Sequence, residues 1–425
     1  MAPLFPFVVI SRRVTPEQLR LEKPVLYMAI MMVACQSDVH RQLSIARIVR
    51  QEISQAVLIR SERSLALLEG LLLYIAWNHV HLQLGHQLLL LQHMAIAMLT
   101  DLGLNKEPHF RPKTAAGAFR EAGPQVAMEP ARTLEERRVF LGVFWVTSLT
   151  KTCFKEMQAL RFTNYAESCC RILENATNHP NDTYLVHVVR LQQRVERVGD
   201  ILYSEDLDTV SGMNPPLAMI ISSLEKEVSD ATTGLPSNIR QTPLLQMSYR
   251  MLQLYLYKIA LDDRLFPPQS PYATLRTNLL FSCLAAIESL VSLFFELPAQ
   301  TILSLPYPNW GQVGHAMLIL SRLAEVKHGT WDTGVVSSVL DHRETFRRLA
   351  RRLEEVMAVG AKETPPRSFP EVFALMIDKL RDLGSSEGRR EDEALMDGED
   401  LNHMLCEDEM MGGILFDFFD LGQGV

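Results

Sequence analysis

Cysteine is scarce in this sequence: six residues in 425, and no two of them form a C-x-x-C pair. They stand at irregular positions, namely Cys35, Cys153, Cys169, Cys170, Cys283 and Cys406. Zinc modules and thioredoxin-like redox motifs are built on C-x-x-C pairs, so neither kind of site is predicted. Such sparse cysteines are typical of a protein in a reducing compartment, the cytosol or the nucleus.

Long hydrophobic runs are also lacking. The most apolar stretch, residues 64–77, is 14 residues long and contains Glu69, whereas a membrane span needs about 20 apolar residues. In the first 13 residues, MAPLFPFVVISRR, the basic residues follow the apolar patch, while a signal peptide has them in front. The sequence therefore predicts a soluble intracellular protein with no membrane span.

The sequence also has little excess positive charge in any segment. The net charge is −8, but residues 387–425 hold twelve acidic residues against two arginines. That segment therefore carries −10, and the remaining body carries about +2. A protein that binds nucleic acid directly normally shows a basic patch large enough to contact several phosphates, and none is visible.

Leucine, methionine and alanine are abundant and recur at helical spacing, which predicts an all-α fold. Thr15, Pro16 and Gln18 have the pattern of a capping box, and Gly103 that of a left-handed helix end. We expect one large helical domain over residues 1–383 and a disordered acidic tail over 384–425. Helices are predicted from Thr15, from Pro24, and at 41–59, 63–79, 83–102, 134–157, 182–203, 215–229, 244–265, 272–296, 310–326, 335–357 and 368–383.

Four ordered sequence blocks resemble the regulatory middle region of fungal zinc-binuclear-cluster transcription factors. They are FPFVVI with TPEQLRLEKPVLYMAIMMVA; LLLYIAWNHVHLQLGHQLLLLQHMAIAMLTDLGLNK; RTLEERRVFLGVFWVTS with LRFTNYAESCCRILE; and SLPYPNWGQVGHAMLILSRL. Together they extend over about 330 residues, which is more specific than any single short motif. The resemblance implies a helical regulatory domain without metal in this region.

The chain departs from the family pattern at its start. Members of that family usually begin with a six-cysteine, two-zinc DNA-binding module, and this sequence has no such cysteines. It is therefore similar to the stand-alone regulators encoded in some fungal secondary-metabolite gene clusters, such as those for trichothecene-type toxins. A truncated gene would look the same, and the residues do not identify the pathway.

Two groups of polar residues invite a metal-site interpretation. The histidines fall within 15 residues, at His79, His81, His86 and His93. Glutamines, rather than carboxylates, surround them, so a role in a helix–helix turn is favoured over a metal site. The pair Asp262-Asp263 resembles half of the carboxylate motif of helical diphosphate enzymes, but Phe266 stands where a third carboxylate would be needed. We therefore predict no cofactor, metal or catalytic residue.

The basic residues of segment 342–355 have a different pattern. Arg347, Arg348, Arg351 and Arg352 form one stripe on a predicted helix. Glu344, Glu354 and Glu355 flank the stripe, which favours a solvated, salt-bridged face over a nuclear-import signal or a nucleic-acid contact.

The acidic tail carries the strongest functional signal outside the core. Hydrophobic residues stand among Asp417 and Asp420, and acidic-aromatic composition of this kind is typical of activation segments. On contact with a partner, such a segment can form a short helix whose apolar side enters a groove. The partner-binding residues predicted here are Leu415, Phe416, Phe418, Phe419 and Leu421. The alternatives are a solubilising tail or one that folds back onto the body.

These observations favour a nuclear transcriptional regulator without enzymatic activity. Its helical body would contact a DNA-bound transcription factor, and its tail would contact coactivators. DNA contact would be indirect or weak, and no membrane is involved. A small-molecule effector could bind the helical core, but no residue set identifies one. The alternative is a helical adaptor or scaffold outside transcription.

Overall fold

The computed structural model describes most of the chain. The described residues are 4–11, 13–85, 87–108, 110–111, 127–128, 131–153, 158–176, 178–203, 212–233, 235–326, 331, 333–361 and 368–385. The predicted tail is therefore represented only by its first two residues.

The described residues contain seventeen α-helices, where the sequence predicts thirteen. They are α1 Pro16–Glu22, α2 Pro24–Ala34, α3 Val39–Ser54, α4 Leu65–Ala76, α5 Leu88–Asp101, α6 Leu134–Cys153, α7 Asn164–Ala176, α8 Asp182–Leu202, α9 Pro215–Asp230, α10 Ser237–Arg240, α11 Pro243–Tyr257, α12 Ala273–Glu296, α13 Ala299–Ser304, α14 Tyr307–Leu323, α15 Thr333–Leu340, α16 His342–Ala361 and α17 Glu371–Ser385. The predicted all-α fold is confirmed.

Short irregular pieces adjoin several helices. A π-helical turn, Gln55–Ile59, extends α3, and 3₁₀ turns follow α4 at Asn78–Leu84 and α11 at Lys258–Leu261. In the described residues, strand pairing is limited to β1 Phe110–Arg111 and β2 Ala127–Met128, which are antiparallel with Phe110 opposite Met128.

The predicted helix signals at Thr15 and Gly103 are both present. The Thr15 hydroxyl accepts a hydrogen bond from the Gln18 backbone N–H at 3.2 Å, and the Gln18 side chain accepts one from the Thr15 N–H at 3.0 Å. This reciprocal pair satisfies two donors that a helix start leaves free. Gly103 has φ +67°, a left-handed conformation that costs glycine little, and it ends the turn after α5.

The core is centred on α4, in which every residue from Leu67 to Ala76 is buried. Helices α2, α5 and α6 pack around it. A Cβ on Gly70 would lie 2.9 Å from Val25 Cγ1, so the missing side chain lets α2 approach α4 closely. The N-terminal segment completes this core, where the Phe7 ring lies 5.4 Å from that of Trp145 in α6.

Helices α11, α12 and α14 form the second part of the same core. Of these, α12 is 24 residues long and apolar enough to cross a membrane by length and composition alone, and so is the strongly bent pair Leu65–Ala76 with Asn78–Leu84. A buried core helix has the same composition. Because α12 contacts α11 and α14 along its length and buries residues such as Leu280 and Ile287, its apolar character is used for internal packing.

Candidate functional site

An apolar groove lies at the C-terminal end of the body. It lies between the end of α12 and helices α14, α16 and α17, and its cavity volume is about 70 Å³. We call it the C-terminal groove. Its lining residues are Phe294, Trp310, Val313, Gly314, Met317, Leu318, Ser321, Phe346, Leu349, Leu353, Met376, Leu380 and Leu383.

Helical spacing explains why these side chains converge. On α16, Phe346, Leu349 and Leu353 follow one another by three and four residues, so they share the face turned toward α14. On α17, Met376, Leu380 and Leu383 are also spaced by four and three residues, so they share one face of that helix. The two amphipathic helices pack against each other, and their apolar faces close the groove from one side.

Aromatic rings form the floor of the C-terminal groove. The Trp310 ring lies 5.7 Å from Phe294 and 5.7 Å from Phe373, in edge-to-face geometry in both cases. Such contacts hold large rings rigidly and leave a defined recess beside them. The recess is lined almost entirely by apolar side chains, so it offers a water molecule few of the polar partners that it needs.

A basic face borders the groove on α16. Arg347, Arg348 and Arg351 are exposed, and Arg348 stacks over the Phe295 ring at 4.6 Å. Arg347 pairs with Glu344 at 3.4 Å, and Arg351 also pairs with Glu344. One carboxylate thus serves two arginines, and the face stays positive. The predicted salt-bridged stripe is confirmed.

The three clustered histidines that the structure describes, His79, His81 and His93, do not converge on one point. His79 and His81 are buried in the 3₁₀ turn after α4, and the His81 ring stacks on Tyr74 at 3.8 Å. Burial lowers the pKa of His79 to about 3 and that of His81 to about 4, so both are neutral. His93 is exposed on α5, and His86 lies outside the described residues. His79 and His81 therefore have the predicted turn role.

Both carboxylates of the Asp262-Asp263 pair contact arginine side chains. Asp262 accepts a hydrogen bond from Arg264 at 2.9 Å, and Asp263 pairs with the buried Arg276. Across the described ranges, no three His, Cys, Asp or Glu side chains are grouped so that they could hold a metal ion.

A charge cluster at the edge of the core joins Lys23, the residue before α2, to α4 and α6. Lys23 lies 3.0 Å from Glu69 and also contacts Glu135. Glu69 has no exposed surface. Burial, followed by the charge of Glu135, raises the pKa of the Glu69 carboxyl to about 8. One lysine thus faces two carboxyl groups, and Glu69 keeps its proton at neutral pH.

A second cavity of about 250 Å³ lies between α2, α13 and the end of α4. It is lined by Ile30, Val33, Ala34, Gln36, Trp77 and Ser304. Gln36 and Ser304 are hydrogen-bonded at 3.0 Å, and the buried Trp77 indole N–H has no partner among the described atoms. A cavity of this volume can hold a small molecule.

The predicted partner-binding residues of the tail, Leu415, Phe416, Phe418, Phe419 and Leu421, lie outside the described residues. The C-terminal groove was not predicted. Its only sequence signal is the amphipathic pattern of segments 335–357 and 368–383, which predicts an apolar face on each helix but not that the two faces meet α14.

Comparison with known proteins assigns the family. The sequence profile of the WAR1 C-terminal domain matches residues 1–306 of the 425. The chain belongs to the WAR1 C-terminal domain family. The matched part ends one residue before α14 begins, so all lining residues of the C-terminal groove except Phe294 lie beyond it.

Three relatives of this chain also resemble it over most of its length. Transcription factor opdL of Penicillium oxalicum is 26% identical over 384 residues, which are 88% of this chain and 67% of that protein. Transcription factor himD of Aspergillus japonicus is 25% identical over 326 residues, which are 76% of this chain and 54% of that protein. Transcriptional regulator WAR1 of Candida albicans is 20% identical over 324 residues, which are 75% of this chain and 33% of that protein. No solved structure matches the chain.

These matches confirm the predicted resemblance to the regulatory region of fungal transcription factors. The chain spans from a third to about two thirds of the length of these three relatives. The names of the relatives identify them as transcription factors or regulators and not as enzymes.

Proposed function

We propose that this protein regulates transcription of a fungal secondary-metabolite gene cluster, of the mycotoxin type, and does so from the nucleus without catalysis. The observation that carries the proposal is the family match over 306 residues, together with relatives named as transcription factors. The assignment to secondary metabolism rests on the sequence resemblance to regulators encoded in fungal secondary-metabolite gene clusters.

The proposed mechanism is recruitment through protein contacts. The body carries a net charge of about +2. A body of this charge supplies little of the phosphate attraction on which duplex binding depends, although its α16 face is locally positive. We therefore propose that a DNA-bound transcription factor holds the body and that the aromatic residues of the tail engage coactivators.

A small effector could tune this contact. The 250 Å³ cavity is lined by apolar side chains such as Ile30 and Val33 and by the polar Gln36 and Ser304, a lining suited to a compact molecule with one polar group. This remains secondary to the recruitment proposal, because no residue of the cavity specifies a particular ligand.

Deletion of the gene tests the function. A tagged full-length protein should lie in the nucleus, and its deletion should lower or raise transcripts of a contiguous group of genes. Purified full-length protein should show no sequence-specific binding to the promoters of that group, because a partner supplies DNA contact. Cytoplasmic residence and an unchanged transcript profile would instead support the alternative, a helical adaptor outside transcription.

A further inference from the structure

The C-terminal groove presents an apolar surface that the described part of the chain does not cover. Met376 and Leu383 are half-buried at its edge, and the recess between Trp310 and Phe346 is open to solvent on one side. An apolar recess of this kind favours a partner that can fill it with hydrophobic side chains.

We propose that the occupant is residues 414–421 of the same chain, ILFDFFDL, which bind the C-terminal groove as a short helix. The inference rests on the proposed function, because it assigns a resting place to the segment that would recruit coactivators. The groove and a coactivator then compete for the same side chains.

The sequence of this segment matches the shape of the groove. Leu415, Phe418 and Phe419 are spaced by three and four residues, so a helix places them on one side. One ring can enter the recess beside Trp310, where edge-to-face contacts favour an aromatic guest. The other two side chains can cover the exposed edge formed by Met376 and Leu383. This is the helix-in-groove mode of recognition.

Charge favours the same occupant over an arbitrary apolar partner. Residues 387–425 carry −10, and Asp417 and Asp420 stand within the apolar segment itself. The groove is bordered by the α16 face with exposed Arg347, Arg348 and Arg351. Opposite charges at the border steer the segment toward the groove and fix its orientation.

The connection along the chain makes even a weak contact effective. Helix α17, which supplies Leu380 and Leu383 to the groove, ends at Ser385. Only 28 residues separate it from Ile414, and a flexible chain of that length spans about 30 Å on average. A short tether of this kind gives a local concentration on the order of millimolar. A separate partner must compete against that concentration.

Photo-crosslinking in the purified full-length protein tests the proposal. Phe418→p-benzoylphenylalanine places a light-activated group in the segment, and Met396→p-benzoylphenylalanine is the control at a tail position outside it. Peptide mapping should find the Phe418 crosslinks on α14, α16 or α17 of the same chain, with a yield several-fold above that of the control. Scattered crosslinks equal to the control, or products of doubled mass only, would overturn the proposal; the latter would assign the groove to a second copy.

Charge reversal at the border supplies the matched comparison. Arg347→Glu with Arg348→Glu should lower the crosslink yield several-fold, whereas Arg47→Glu with Arg171→Glu makes the same change of net charge at exposed sites on α3 and α7. Equal yields in both double variants would contradict the electrostatic part of the argument. Because the assay contains no transcription machinery, its result is independent of whether the tail activates genes.

Discussion

At the scale of single residues, the Lys23–Glu69–Glu135 cluster shows how a core accommodates charge. A fully buried carboxylate is costly, and one ammonium group cannot neutralise two carboxylates. Protonation of Glu69 relieves this conflict, which is why its pKa lies at about 8 while that of Glu135 is lowered by its hydrogen bonds and by Lys23. The cluster is therefore neutral overall near pH 7.

Glu69→Gln tests this protonation state. Between about pH 5 and 8, folded Glu69 holds a proton that the unfolded chain has released, so this group's contribution to stability falls as the pH rises toward 8. Since one pKa unit corresponds to about 1.4 kcal/mol, the effect is on the order of a few kcal/mol. The apparent melting temperature of the native protein should fall between pH 5.5 and 8.5 relative to that of the variant.

The variant also provides its own control. The lowered pKa values of buried His79 and His81 contribute stability above pH 6.5 that is lost at lower pH, and this occurs in both proteins. The difference between the two melting curves therefore reports Glu69 together with Lys23 and Glu135, whose charges are coupled to it. Parallel pH dependence in the two proteins would show that Glu69 is ionised in the folded state.

The buried ion pair between Arg138 and Asp182 gives a second residue-level prediction. Two parallel hydrogen bonds of 2.7 and 2.9 Å join α6 to the start of α8, and both side chains are almost fully buried. Asp182→Asn leaves the guanidinium without a counter-charge, so it should cost about 3–5 kcal/mol. Calorimetry should show a clear fall in melting temperature.

The matched variant is Glu227→Gln, which breaks the surface pair of Glu227 with Arg197 at 3.2 Å. An exposed pair contributes only about 0–1 kcal/mol, so this change should move the melting temperature little. Similar shifts in the two variants would show that burial does not set the strength of the Arg138–Asp182 pair.

Local sequence signals predict some residue-level features and miss others for a physical reason. The capping box at Thr15 and the left-handed Gly103 depend on residues within one turn, so they are visible in the sequence. The contact of Lys23 with Glu69 joins positions 46 residues apart, and Glu135 is farther still. No local pattern encodes such a meeting, which depends on how α2, α4 and α6 pack.

At the scale of secondary-structure elements, close approach depends on glycine at a few places. A Cβ on Gly142 in α6 would lie 2.7 Å from Phe7 Cβ and 2.8 Å from Leu72 Cδ2. The N-terminal segment and α4 thus contact α6 through the space that a side chain would occupy. Phe5 and Phe7, both buried, are held there against Trp77 and Trp145.

Gly142→Ala separates the two effects that act on this residue. Helix propensity alone would make alanine more stable by about 1 kcal/mol, whereas overpacking in a filled core costs about 1–3 kcal/mol. Because the contacts are with Cβ and a core leucine, we expect a net loss of stability and faster proteolysis at the N-terminal segment. A rise in melting temperature would show that the segment moves aside without cost.

Helix prediction from periodicity succeeds where a helix is long and continuous, as for α8 and α12. It is wrong at the His-rich turn, where helix was predicted from residue 83 but α5 begins at Leu88, after a 3₁₀ turn and Gly85 at φ +105°. It also misses α7, Asn164–Ala176, and stops α17 two residues short of Ser385. Element ends depend on caps and on tertiary packing, which periodicity does not contain.

At the scale of the whole molecule, the helices share one hydrophobic core, and the candidate site lies where its last helices close over α14. The C-terminal groove combines residues from Phe294 to Leu383, so it exists only in the folded body. Sequence patterns predict the amphipathic faces but not their meeting. A rigid body next to an acidic aromatic segment can hold that segment, or release it to a partner that binds it better.

The central claim, that the tail of a transcriptional regulator recruits the transcription machinery, is tested most directly by a tethered reporter assay. The full chain is fused to an unrelated DNA-binding domain and compared with a chain ending at Ser385 and with Phe416→Ala, Phe418→Ala and Phe419→Ala together. Met404→Ala, Met410→Ala and Met411→Ala together serve as the control in the same tail. We predict activation by the full chain and the control, a strong loss in the triple phenylalanine variant, and none in the truncated chain. Equal activity of all four at equal protein levels, or silence of the full chain, would contradict the claim.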